Sequence, residues 1–221
     1  MPETVTGFSP SPGLKTAGEL KAEVGRFCGT PDNPRALAVA QDGIEHALRR
    51  INSKMWRWSV AVYDITLDDT QSDPNVYDGP ADFHKTLECM FLDADNKPAY
   101  ELHWIEPEDF QRLEIYNGPV IWSYTIYNYR NDGKVTITGT IDANFVSSNP
   151  KLRLRYYRFI PYPTKDTQVL EVPSNVEDFV AWQAKAYAAS VLKPAVYALA
   201  ANEALRSWKL LLVDSREEGD L

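Results

Sequence analysis

Three groups of residues have types and spacing that invite a chemical reading. Glu106, Glu108 and Asp109 follow Trp104, and acids beside a sugar-stacking ring are the raw material of glycoside hydrolysis. They also sit around Pro107 at the predicted start of a short helix, where free N–H groups favour acids without any catalytic role. Arg153, Arg155 and Arg158 interleave with Tyr156 and Tyr157, the mixture of bases and aromatics that single-strand nucleic-acid binders use. An exposed basic face of one strand explains them equally well. His46, His84 and His103 are isolated, and Cys28 and Cys89 are far apart in sequence, so neither a metal set nor a disulfide framework is indicated and both cysteines read as buried thiols. The sequence has no P-loop, G-x-G-x-x-G, H-E-x-x-H, G-x-S-x-G or EF-hand loop. The expectation is a protein that is not an enzyme, with no catalytic residue, no cofactor and no metal.

The elements that would carry these residues change period twice along the chain. Residues 1–15 hold Pro2, Gly7, Pro10, Pro12 and Gly13 and read as an extended arm. Thr16-Ala-Gly-Glu19 has capping-box spacing and opens a helix with Ala17, Leu20, Val24 and Phe27 on one face. Asn33-Pro34 opens a second helix to about Asn52, with Trp56 and Trp58 as core anchors after it. From Trp58 to Phe159 the period is 2, as in Trp122, Tyr124, Ile126 and in Leu152, Leu154, Tyr156. Asn131-Asp-Gly-Lys134 is a hairpin signal. Ser174-Asn-Val-Glu177 is a second capping-box spacing, opening a helix through Phe179, Ala184 and Val191. Trp182, Ala186 and Ala189 lie off its main apolar face, which predicts a helix covered on two sides, as in a bundle or a subunit interface. Pro194 starts the last helix, with Tyr197, Ala201, Ala204, Leu205, Trp208, Leu211 and Leu212 as its stripe before a polar tail over 214–221.

These patterns predict an α+β fold, a helical bundle formed by N- and C-terminal helices with a central antiparallel β sandwich or barrel inserted between them. The expected organisation is 1–57 for the arm and first bundle helices, 58–160 for the β domain, and 161–221 for the last helices and tail. A chain of 221 residues and net charge −8 suits one main core and argues against generic duplex-DNA binding, which needs basic surface. No apolar run spans a bilayer and no signal peptide opens the sequence, so no membrane partner is expected and synthesis is placed in the cytoplasm. The charge is uneven. Residues 68–109 hold twelve acids against two lysines, a balance of −10, and residues 110–170 hold four acids against eight bases, a balance of +4. Opposite signs on adjoining segments suit a contact between neighbouring copies.

The order of landmarks resembles the head-to-tail adaptor (connector) proteins of tailed bacteriophages, of the tail tubular protein A type. The matching pieces are Lys15-Thr-Ala-Gly-Glu-Leu20, Ile51-Asn52 with Trp56, Pro107-Glu-Asp-Phe110, Gly118-Pro119 before the aromatic strand to Tyr124, Leu152-Arg-Leu-Arg-Tyr156-Tyr157, and Val172-Pro173 before Phe179 to Ala184. The resemblance implies a virion structural protein located in the neck. It implies about a dozen copies in a closed ring, bound to the portal protein on one side and to a tail or neck protein on the other. DNA passes through such a ring during genome ejection without being read, and the acidic segment is a candidate for its bore. Candidate subunit or portal contacts are Trp182, Ala186, Ala189, Arg153, Arg155, Asp214, Arg216 and Leu221. Two alternatives are another neck or tail-completion component, and a glycan-binding or glycan-cleaving tail protein built on the six tryptophans and the Glu106 cluster.

Overall fold

The computed structural model describes residues 4–6, 14–113, 122–127 and 133–217. In order, the elements are β1 (Thr4–Thr6), α1 (Ala17–Cys28), α2 (Pro34–Asn52), β2 (Val60–Thr66), β3 (Val76–Asp78), β4 (Phe83–Leu92), β5 (Pro98–Trp104), α3 (Pro107–Leu113), β6 (Ser123–Tyr127), β7 (Lys134–Ile137), α4 (Ala143–Ser148), β8 (Lys151–Arg158), α5 (Ser174–Leu192) and α6 (Tyr197–Glu217). The class is α+β, with helices toward both ends and strands between them. Two compact units result: Met1–Phe8 with Trp58–Phe159, and Ser9–Arg57 with Ile160–Leu221.

In the helical unit α2 packs on α5, α5 on α6, and α1 on both α2 and α5. Thr16 caps α1 as its spacing predicts: its hydroxyl accepts from the Glu19 N–H and the Glu19 carboxylate accepts from the Thr16 N–H at 2.7 Å. Gly29, at φ 77°, ends α1 in the left-handed conformation that costs glycine little. The Asn33 side chain caps α2 by accepting from the Arg35 N–H. The second predicted box does not form. Pro173, whose ring has no polar atom to accept a cap bond, stands at the N-cap of α5 with Ser174 already inside the helix, and the Glu177 carboxylate accepts instead from the backbone N–H of Lys15 at 2.9 Å. The core holds Leu20 and Val24 of α1, Ile44, Leu48 and Ile51 of α2, Val176, Phe179 and Val180 of α5, and Ala200, Ala204, Trp208 and Leu211 of α6. Trp56 is a buried anchor, edge-on to Trp208 and donating its indole N–H to the Ile51 carbonyl at 2.8 Å. The buried Asn52 amide donates to the carbonyl of Ile160 and accepts from its N–H, both at 2.9 Å. The chain is thereby tied where it re-enters this unit.

The other unit is one curled sheet of eight strands in the order β1-β2-β8-β4-β5-β6-β7-β3. All pairs are antiparallel except β5 and β6, whose parallel pairing needs a crossover, and α3 lies in it. Period-2 alternation sets the inner face: Ala61, Tyr63 and Ile65 of β2, Cys89 and Phe91 of β4, Tyr124 and Ile126 of β6, and Leu152, Leu154 and Tyr156 of β8 are buried together. On β4 a register shift between Thr86 and Glu88 breaks the alternation, and Leu87 is exposed although its spacing groups it with Cys89 and Phe91. Residues 4–6 of the predicted arm are a strand, in register with β2 from Thr4 opposite Tyr63 to Thr6 opposite Ala61. The short helix α4, capped by the Asp142 side chain, places Phe145 against Phe91 and Trp122. β6 and β7 pair as the hairpin signal predicts, although turn residues 131 and 132 and the Gly118-Pro119 landmark lie outside the described residues.

Candidate functional site

The basic face of β8 is already partnered within the chain. Arg153 makes a two-point contact with Asp64 of β2 at 2.8 and 2.7 Å. Arg155 reaches Glu88 of β4 at 2.5 Å, and Arg158 reaches Asp82 at 2.6 Å. The Tyr156 hydroxyl donates to the same Asp82 carboxylate at 2.7 Å, and burial with Asp82 beside it pushes the phenol above its usual value. These contacts cross strands, so the arginines lock the register of β2, β8 and β4. They are committed before any nucleic acid arrives.

The acidic segment over 68–109 is also employed locally. Asp68 accepts from the N–H and hydroxyl of Thr70, Asp73 from the N–H of Asn75, and Asp93 from the N–H groups of Asp95 and Lys97. These are side-chain-stabilised turns. Asp78 pairs with Lys134 and Asp95 with Lys97. Trp104, the imagined sugar platform, stacks on Phe83 and meets Tyr124 edge-on, while its indole N–H donates to Glu106 at 3.2 Å. Its ring is packed into the sheet's own aromatic cluster.

On α5, Ala186 and Ala189 are buried within the helical unit, and Trp182 lies half-buried, edge-on to Phe27. The Lys185 ammonium sits 4.2 Å from the Trp182 ring centre and pairs with Glu23 at 2.5 Å, and Lys15 holds the other oxygen of Glu23 at 2.6 Å. Burial alone would raise the Glu23 carboxyl, but hydrogen bonds from Lys15 and Lys185 outweigh it and hold the group below its ordinary value. Burial keeps the neighbouring Glu177 carboxyl above its ordinary value. Asp214 and Arg216 fall in the last turns of α6 with side chains outside the described residues, and Leu221 lies outside them altogether.

Sequence periodicity missed most of the outward face of α6 and placed Tyr197 and Leu205 in the buried stripe, although both are exposed. Leu199 and Leu210 are each 57% exposed, and Leu205 and Val213 are exposed beside them. They lie off the buried line of Ala200, Ala204, Trp208 and Leu211, interleaved with Arg206 and Lys209. A helix read for one apolar stripe hides a second set of apolar residues on its opposite side. Isolated exposed leucines are common, whereas these four apolar residues share one helix face.

Among the described residues no cluster of His, Cys, Asp or Glu could hold a metal ion, and no helix is long and apolar enough to cross a membrane. The described residues thus offer cross-strand ion pairs, side-chain-stabilised turns and an outward apolar helix face. Over residues 15–218 the chain matches the SU10 adaptor protein family, and it belongs to that family. This makes it a bacteriophage adaptor, a structural component of the virion that works by interacting with other head and tail proteins. No match was found among curated proteins.

Proposed function

We propose that the protein is the head-to-tail adaptor of its virion, of the tail tubular protein A type. Copies form a ring in the neck below the portal, and the ring presents a docking surface to the tail or to the next neck protein. The observation that carries this reading is the family match over residues 15–218, nearly the whole chain, helices and strands alike. Exposed Leu199, Leu205, Leu210 and Val213 supply apolar area for assembly, and Trp182 and the tail residues Asp214, Arg216 and Leu221 are further candidate contacts. DNA crosses the ring during ejection without sequence readout. The net negative charge of the 68–109 segment suits a bore that repels phosphate. Synthesis in the host cytoplasm precedes assembly into the neck. The decisive experiment mixes purified protein with isolated portal rings and images the product by electron microscopy. A ring of adaptor density on one portal face is the expected result. Protein that stays unbound while the portal remains intact overturns the reading.

A further inference from the structure

The outward face of α6 is open to solvent from Leu199 to Val213, a length of about 21 Å at about 1.5 Å per residue. Leu199, Glu203, Arg206, Leu210 and Val213 follow one another along it at spacings of 4, 3, 4 and 3, the repeat that keeps side chains on one seam of a helix packed along another. Beside the seam runs a groove of about 300 Å3 lined by Asn202, Leu205, Arg206, Lys209, Leu210 and Val213. It resolves into two hollows of the i, i+3, i+4, i+7 kind that accept a knob from a facing helix. Asn202, Leu205, Arg206 and Lys209 frame the first, and Arg206, Lys209, Leu210 and Val213 frame the second.

The two hollows ask for different side chains. The first brings the cations Arg206 and Lys209 together beside the apolar Leu205, so it suits an acid. The second is closed by Leu210 and Val213, so it suits an apolar side chain. Within one chain the contact of Arg206 to Glu203 is loose and exposed, 3.9 Å from Nη1 to Oε2, which leaves the donors of the guanidinium largely unspent. The fitting occupant is therefore a helix that presents an acid and, one turn away, an apolar residue. α6 carries that pair itself, in Glu203 and Leu199.

We propose that free chains pair through α6, the outward face of one copy laid antiparallel on the same face of a second. Glu203 of each copy enters the first hollow of the other, between Arg206 and Lys209, and Leu199 enters the second, against Leu210 and Val213. The run Leu199, Glu203, Arg206, Leu210 has spacings of 4, 3 and 4, which read the same from either end with acid and base exchanged. One two-fold axis therefore satisfies both halves at once. A parallel pair in register would set Glu203 on Glu203 and Arg206 on Arg206, so charge fixes the direction. A helix cannot lie against its own face, and the matching face is that of a second copy. The seam is short by the standard of permanent dimers, so the pair comes apart on dilution. An isologous contact closes on itself and admits no third copy. The pair is thus a state of the free protein that covers the exposed leucines, separate from any ring contact, and it stands on this chain alone without the adaptor reading.

Sedimentation equilibrium of the full-length protein from about 1 μM to about 1 mM tests the pair. A reversible equilibrium between monomer and dimer is expected. Glu203→Arg should weaken it at least about tenfold by setting a base against Arg206 and Lys209 of the other copy, and Arg206→Glu with Lys209→Glu should do the same by setting acids against Glu203. Mixed in equal amounts, the two variants should associate with each other about as tightly as the parent does, because each supplies the charge the other lacks on both sides of the axis. Circular dichroism accompanies both variants; if either misfolds, Glu203→Gln, which reverses no charge, must still weaken the dimer. A full-length chain that stays monomeric to about 1 mM overturns the proposal. So does a dimer indifferent to these charges, or a pair of weakened variants that do not recover on mixing. Free chains that stay monomeric yet form rings on portals would remove this contact and leave the adaptor reading standing; charge-matched dimers that form no rings would do the opposite.

Discussion

Asn52 serves two backbone groups 108 residues away, and both are buried with it. Asn52→Ala leaves the N–H and the carbonyl of Ile160 without partners, at about 1–3 kcal/mol for each unsatisfied group. A total loss of about 2–4 kcal/mol in urea unfolding is expected, and a change under about 0.5 kcal/mol contradicts the role. Asn52→Asp should be nearly as harmful, because a carboxylate accepts from the N–H but has nothing to give the carbonyl. Glu23 is the second test. It balances the nearly buried Lys185 as well as Lys15, so Glu23→Gln leaves a desolvated ammonium with a neutral amide and the Trp182 and Phe27 rings in place of a counter-charge, a loss of about 2 kcal/mol at neutral pH. The folded chain holds the Glu23 carboxyl below its ordinary value near 4.5, so its stabilisation is complete above that value and is lost as pH falls through the folded pKa. The gap between variant and parent in chemical denaturation should therefore close in acid. A gap that persists unchanged there would show that packing, and not charge, sets the difference.

Helices α2 and α5 approach closely at Gly43, where an added Cβ would lie 3.0 Å from both the Cα and the carbonyl oxygen of Ala184. Alanine is the better helix former by about 1 kcal/mol, yet the contact is with backbone and cannot swing aside. Gly43→Ala should lower stability by about 1–3 kcal/mol, as overpacking does, and a variant whose melting temperature rises would show that the helices can part. Much of this architecture was legible. Capping at Thr16 and Asn33, Pro107 at the start of α3 and the alternation of β8 depend on neighbours in sequence, and local chemistry decided them. Ser174-Asn-Val-Glu177 misled because the helix takes Pro173 as its N-cap, one residue early, and because Glu177 found a distant donor, Lys15, that no local pattern shows. α4 went unseen because its packing residues, Phe145 and Val146, are justified only by the sheet's core, Phe145 by Phe91 and Trp122. The candidate contacts fared differently for a similar reason: spacing exposes one stripe per helix, whereas the outward leucines of α6 are left as a face only once three helices are packed.

On the proposed function, assembly and folding load different surfaces, which makes them separable. Leu210 is exposed in the single chain, so Leu210→Glu should leave its stability within about 0.5 kcal/mol while placing a charge on the outward face of α6. Thermal unfolding and binding to portal rings, measured on the same preparation, give the comparison; unchanged stability with lost binding is expected, and unchanged binding would remove that face from the interface. The amide of Asn52 has a broader consequence. The chain leaves the helical unit at Arg57 and returns at Ile160, and the return is clamped to the end of α2, beside the Trp56 anchor from which it departs. For a loop whose ends are fixed in this way, closure entropy grows only with the logarithm of length, about 0.6 kcal/mol for each doubling. The helices are then nearly indifferent to how much polypeptide is strung between those two points. An insertion or deletion in the strands changes what the excursion does without altering the terms on which its ends are held, so the β unit is free to diverge in size while the helices that clamp it stay the same.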